Sequence, residues 1–143
     1  MNSTSGKTFI DTNVLLYAHD MDAGVKHQTA KAILGELWIE RTGVVSMQVL
    51  QEFYVNLTRK ISSPLSNEIA RLVVGSYSIW CMDTTPADIS AAFRIEGESR
   101  IAFWDAMIVS AAVRSGATRI LSEDFSAGHQ IAGILVENPF ALT

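Results

Sequence analysis

One local pattern recurs along this chain and limits what it can fold into: a short apolar run ends at a polar or acidic residue, and a helical periodicity starts directly behind it. The first case is Lys7–Ile10 closed by Asp11, after which Thr12 to Ala18 read as a short helix. Past a polar break at His19–Gly24, Ala30, Ile33, Leu34, Leu37 and Trp38 recur at helical offsets and make one apolar stripe. Val44 and Val45 then form a strand leading to Ser46, a natural N-cap, and Leu50, Phe53, Tyr54 and Leu57 share one face of the helix that follows. Pro64 marks a connection before a helix over about 67–77, and Ile79–Met82 reads as a third strand. Thr84, Thr85 and Pro86 open a helix through Phe93, where proline suits the first turn, and Gly97–Arg100 breaks the pattern. An apolar helix from Trp104 to Arg114 ends at Gly116. Ile120–Leu121 is the next strand, Ser126–Gly133 a loop or weak helical turn, and Ile134–Val136 a last strand. Strands alternating with helices imply βαβ units. The expected fold is therefore α/β, three layers with a central, mainly parallel sheet of about five strands covered on both faces.

Composition restricts the options further. With 143 residues, 48% of them hydrophobic, and no repeat or linker, residues 1–143 read as one domain. Fifteen acidic against eleven basic residues, a net charge of -4, leave no global positive field for nucleic acid, so any such contact must be local. The single cysteine, Cys81, excludes an intramolecular disulfide and a multi-cysteine metal site, and between Trp80 and Met82 it reads as a small core hydrophobe. Met1–Lys7 is polar without an apolar signal core, and charged residues interrupt the later apolar runs. A soluble, cytoplasmic protein with no membrane span is expected.

Four carboxylates stand apart from the solvated helix faces to which Glu36, Glu40, Glu68, Asp88 and Glu96 are assigned. Asp11 follows the first strand, Asp124 lies just past the strand ending at Leu121, Glu52 sits early in the helix that Ser46 starts, and Asp105 opens the apolar helix. Strand C-termini and helix N-termini share one rim of a doubly wound sheet. Taken singly, each has a plain structural reading as a favourable charge near a helix N-terminus or a turn former. Taken together, they would repel and raise one another's pKa, which a fold tolerates when a cation sits between them. Carboxylate oxygens without His or Cys partners suit Mg²⁺ or Mn²⁺ rather than zinc. His19, Asp20 and Asp22 lack the strand-end context and read as a solvated loop, while His27 and His129 have no spaced partner for base chemistry.

These residues also carry a resemblance. Phe-Ile-Asp-Thr-Asn-Val-Leu at 9–15, Ser46 with Gln-Glu-Phe at 51–53, Trp-Asp-Ala-Met-Ile-Val-Ser-Ala-Ala at 104–112, Leu-Ser-Glu-Asp-Phe at 121–125 and the closing Val-Glu-Asn-Pro-Phe at 136–140 resemble the PIN-domain nucleases, and among them the VapC-type ribonuclease toxins of toxin-antitoxin pairs. The resemblance spans nearly the whole chain. It implies metal-dependent hydrolysis of an RNA phosphodiester, leaving a 5′-phosphate and a 3′-hydroxyl. The acidic metal site would be Asp11, Glu52, Asp105 and Asp124, with Asp11 and Asp105 as direct ligands, Glu52 ligating or orienting water, and Asp124 acting directly or through water. Asn13, Ser46 and Ser122 would be polar supports that steer the carboxylates; many family members have Thr where this chain has Ser122, and the hydroxyl is kept. The resemblance further implies a homodimer and a cognate antitoxin whose tail covers the acidic site. Arg59, Lys60, Arg100 and Lys26 are candidates, by position, to meet substrate phosphates.

Three other readings remain open from the sequence. A receiver-like phosphoacceptor module needs an acceptor aspartate on a middle strand and a lysine near the last, which Ile79–Met82 and Ile134–Val136 do not supply. An aspartate-nucleophile phosphatase needs a second Asp two positions after the first, where this chain has Asn13. The same fold with lost catalysis would serve as an RNA-binding or scaffold domain.

Overall fold

The computed structural model describes residues 6–124 and 128–141. Strand β1 (Lys7–Ile10) leads through Asp11 into α1 (Thr12–His19), a 3-10 turn (Met21–Ala23) and α2 (Val25–Glu40). Strand β2 (Gly43–Ser46) is followed by α3 (Met47–Arg59) and α4 (Asn67–Ser76), then a 3-10 turn (Tyr77–Trp80) and β3 (Cys81–Met82). Helices α5 (Pro86–Ser99) and α6 (Phe103–Ser115) precede β4 (Ala117–Leu121), β5 (Gln130–Ile131) and β6 (Ile134–Glu137). The strands form one sheet in the order β3-β2-β1-β4-β6-β5, parallel except for β5. This is the expected α/β class with a mainly parallel central sheet.

The order fixes where a site can form. Successive crossovers carry the chain from β1 outward to β2 and β3, and the α5–α6 connection then returns it past them to β4, on the other side of β1. Right-handed crossovers place α1–α4 and α5–α6 on opposite faces. Winding therefore reverses between β1 and β4, and the crevice beyond the carboxyl ends of those two strands is the topological switch point. Both strands are apolar through their inner length because both faces are covered: Phe9, Ile10, Ile120 and Leu121 are buried, joined by Val14, Leu15, Val45, Phe53, Leu57, Val109 and Val136. Gly43 is required at the start of β2, since a Cβ there would lie 2.6 Å from the Trp80 indole.

Three expectations are corrected. Ile79 and Trp80 are not strand. Tyr77 and Trp80, three apart, eclipse in 3-10 geometry and bury their rings together beside Trp38, while Ile79 is 80% exposed. Only Cys81 and Met82 pair with β2. Helix α5 runs through Gly97 to Ser99 and stops where Arg100 takes a left-handed conformation, φ 55°. Part of the segment expected as loop is strand: Gln130–Ile131 pairs with β6 across Ala132 and Gly133, both at positive φ (52° and 82°) as a tight hairpin demands, and adds a short edge strand to the expected sheet, six in all. Ser126 of the expected loop, and Phe125 of the fourth motif, lie outside the described residues.

Candidate active site

Asp11 is held at the switch point by the backbone on either side of it. Its amide donates to the Leu121 carbonyl at 3.0 Å, which ties the end of β1 to β4, and its carboxylate caps α1 by accepting the Thr12 amide at 2.8 Å. The other carboxylate oxygen accepts from the Ser122 hydroxyl at 2.7 Å. Ser122 is fully buried, and its oxygen accepts in turn from the Asp124 amide at 3.1 Å. One hydroxyl thus couples the turn after β4 to the carboxylate after β1. Across the crevice, Thr12 donates its hydroxyl to Glu52 at 3.2 Å.

All four acids singled out in the sequence line one cleft of about 200 Å³. Gln48, Glu52 and Asn56 enter it from successive turns of α3, an i, i+4 row on one face. Asp105 enters from the first turn of α6. Trp104, Ile108 and Leu16 supply an apolar side to the same cleft. Thr12, Gln48, Asn56 and Trp104 were not picked out as site residues in the sequence; the four-residue spacing along α3 is the signal that would have found two of them. A larger cavity, about 790 Å³, opens among Lys7, Arg41, Trp38 and Trp80 near the starts of β1 and β2, with no carboxylate in its lining.

The electrostatics of the cleft are unfavourable to an all-ionised state. Asp11 is 5% exposed, and burial is the main reason its carboxyl is pushed up from 3.8 to about 6; the hydrogen bonds from Ser122 and Thr12 oppose the shift, and the charges of Asp124 and Glu52 add to it. Burial, and then Asp124, also push the half-buried Asp105 upward. The donor set is carboxylate and amide oxygen, which fits a hard divalent cation. Among the described residues no three acidic, cysteine or imidazole groups already stand together as a metal cage; the acids are spread over the walls of an open cleft.

The remaining assigned residues divide. Asn13 lines the cleft and accepts the Glu123 amide at 3.3 Å, while its own Nδ2 is buried with no partner among the described residues, an unsatisfied group of the kind functional sites retain. Ser46 caps α3 through the Val49 amide at 3.3 Å and acts on Glu52 only through the helix it starts. Lys26 is committed to an ion pair with Glu123, which also accepts from the Tyr17 hydroxyl at 2.6 Å. Arg59 and Lys60 are exposed where α3 ends, beyond Asn56, and Arg100 is exposed in the α5–α6 turn. Asp88, expected on a solvated face, is instead buried: it closes a capping box at Thr85 and accepts Arg114 Nε at 2.7 Å and Nη2 at 3.0 Å. Burial raises its carboxyl, but the Thr85 amide and the Arg114 guanidinium outweigh that and hold it below its ordinary value.

A mainly parallel doubly wound sheet with an acidic crevice at its switch point defines an α/β domain whose ligand site lies beyond the carboxyl ends of its central strands. The PIN domain family model matches residues 8–127, and the chain belongs to that family. That assignment, with the observed strand order, sets aside the receiver-like reading. Comparison with curated protein sequences found no match. Among solved structures the chain is similar to a sarcin-ricin loop cleaving VapC toxin of Mycobacterium tuberculosis, at 18% identity and TM-score 0.59 over 82% of this chain and 90% of that one. It is similar to a toxin-antitoxin complex from Klebsiella pneumoniae, at 17% identity and TM-score 0.68 over 95% and 100%. It is also similar to a DNA-bound VapBC from Salmonella typhimurium, at 18% identity and TM-score 0.66 over 94% and 98%.

Proposed function

We propose that this chain is a Mg²⁺- or Mn²⁺-dependent endoribonuclease and the toxin of a toxin-antitoxin pair, acting in the cytoplasm. The observation that carries the reading is the convergence of Asp11, Glu52, Asp105 and Asp124, from four separate segments, on one cleft at the switch point. Burial, with the charge of Asp124 on both and of Glu52 on Asp11, keeps Asp11 and Asp105 reluctant to ionise alone, so the site as built favours a bound cation. Asp11 and Asp105 would hold the cation directly, and Glu52 and Asp124 would complete the acidic wall. When bound, the cation supplies charge neutralisation at the phosphate and acidifies water.

The rest is the work of the chain itself. Ser122 holds one Asp11 oxygen and Thr12 the other, which fixes the orientation of the carboxylate before substrate arrives. Thr12 also holds Glu52, leaving its second oxygen free to orient an attacking water. Arg59, Lys60 and Arg100 lie outside the acidic wall, where a flanking phosphate can meet them without being drawn between the carboxylates. A homodimer and a cognate antitoxin complete the proposal, supported by the likeness to structures described as toxin-antitoxin and VapBC complexes.

Cleavage of a 5′-labelled single-stranded RNA by purified protein tests the reading. Activity in Mn²⁺ that vanishes in EDTA and in Asp105→Asn, with the variant's circular dichroism unchanged, is the expected result. Equal cleavage in EDTA overturns the cation; no cleavage by wild type with intact RNA binding leaves a non-catalytic RNA-binding domain.

A further inference from the structure

The cleft has two chemically different walls, and the second is not used by the chemistry above. Next to Asp105, at the start of α6, stands Trp104, 63% exposed although tryptophan is among the largest apolar side chains. Its indole is not a loose surface group. Phe103 packs against it edge-on with ring centroids 5.2 Å apart, and Phe103 lies in turn against Phe93, with centroids 5.7 Å apart and ring planes tilted by 35°. Ile108, one turn further along α6, lies in the same wall of the cleft and is buried. A flat aromatic surface is thus held open to solvent immediately beside Asp105.

We infer that Trp104 is a stacking platform for the base of a nucleotide flanking the scissile phosphate, a positioning residue for single-stranded RNA; this rests on the ribonuclease reading above. An acidic crevice repels the phosphates of its substrate wherever a cation does not shield them, so inside the cleft, away from Arg59, Lys60 and Arg100, a hold on the strand comes best from the uncharged part of the nucleotide. A base offers a neutral π-face, and stacking on an exposed aromatic ring is how single strands are held without sequence-specific hydrogen bonds. The adjacency of Trp104 and Asp105 sets the spacing: the residue that grips the base and the residue that faces the phosphate differ by one position at the start of a rigid helix. Duplex RNA keeps its bases stacked on each other and cannot use this wall, so single-stranded substrate is preferred.

The test uses the full chain and a mixed-sequence single-stranded RNA of about twelve nucleotides, a length within the reach of such sites. Binding is measured by fluorescence anisotropy in EDTA, and cleavage in Mn²⁺. Trp104→Leu keeps apolar bulk without the π-face; it should weaken binding roughly 5- to 150-fold and raise KM with little change in kcat, while Trp104→Phe should restore most of the affinity. A second arm removes single bases by abasic substitution along the RNA. At the nucleotide that stacks, base removal should weaken wild type by a similar factor and leave Trp104→Leu unaffected, a coupling that a merely structural role of the indole would not produce. Binding by Trp104→Leu equal to wild type, or losses from mutation and base removal that simply multiply at every position, overturns the inference while Mn²⁺-dependent cleavage by wild type keeps the nuclease. Absence of both binding and cleavage in wild type overturns both together.

Discussion

Replacing Asp11 by asparagine should stabilise the metal-free protein, and the size of the effect follows from its surroundings. Asp11 is 5% exposed, and its carboxyl titrates near 6 in the fold against an ordinary 3.8. At about 1.4 kcal/mol for each tenfold change, that gap amounts to about 3 kcal/mol. Its sign is set by which state holds the proton more tightly. The folded state does, so wild type has this stability below pH 3.8 and loses it as pH rises through about 6. Asparagine mimics the neutral acid in size and still offers an oxygen to the Thr12 amide, so the variant escapes the loss. The gain over wild type should be close to zero near pH 4 and approach about 3 kcal/mol above pH 7, an upper limit because the cleft can relax. For a domain of this size it corresponds to a melting temperature higher by about 6 to 12 °C. Thermal unfolding followed by circular dichroism in EDTA, from pH 4.5 to 8 at constant ionic strength, reads it directly. A variant less stable than wild type at pH 8, or a gain that does not vary with pH, would refute the claim that Asp11 is a buried carboxylate ionised at a cost.

Further expectations concern the residues around it. Ser122→Ala removes the hydroxyl that holds Asp11, so the Asp11 carboxyl should rise above 6 by about one pH unit and carry the acid limb of the cleavage profile upward with it, as carboxyl NMR titration and a pH-rate series would show. Asp88→Ala should cost about 1 to 2 kcal/mol in urea unfolding, because it removes the capping-box carboxylate and leaves the half-exposed Arg114 with Asp83 as its remaining carboxylate partner, yet leave Mn²⁺ uptake intact. Since the Asp88 carboxyl is depressed, wild type should keep this contribution above pH 3.8 and lose it as pH falls through the folded value. Gly43→Ala should cost about 1 to 3 kcal/mol, because the added methyl meets the Trp80 ring and neither β2 nor the ring can withdraw freely; a neutral effect in thermal melts contradicts that packing.

The switch point was legible because its signals are local and agree with one another. Phe9 and Ile10 are apolar because β1 is covered on both faces, Asp11 follows at once, and Ser46 caps α3 as its residue type suggests. The four acids could be gathered from topology, since Asp11, Asp105 and Asp124 lie at strand or helix ends, Glu52 lies in the second turn of α3, and the doubly wound sheet brings those ends together. What the sequence hid depends on tertiary packing. Ile79 and Trp80 are β-prone by composition, but the demand to bury Tyr77 and Trp80 on one side selects a 3-10 turn. The β5–β6 hairpin turns through Ala132 and Gly133, without the Asn-Gly pair that marks such turns. Asp88 looks like any exposed helix acid until Arg114, twenty-six residues away, folds over it. Lys26 looks available for phosphate until Glu123 claims it. In each case a partner distant in sequence decides, and periodicity carries no record of distant partners.

The account stands on the acidic cleft being a cation site, and calorimetric titration of Mn²⁺ into metal-free protein tests that most directly. Wild type should take up Mn²⁺ with proton release at pH 6, since Asp11 gives up its proton as the ion enters, and Asp11→Asn and Asp105→Asn should each weaken uptake about tenfold or more. Uptake unchanged in both variants, or no uptake by folded wild type, would contradict it.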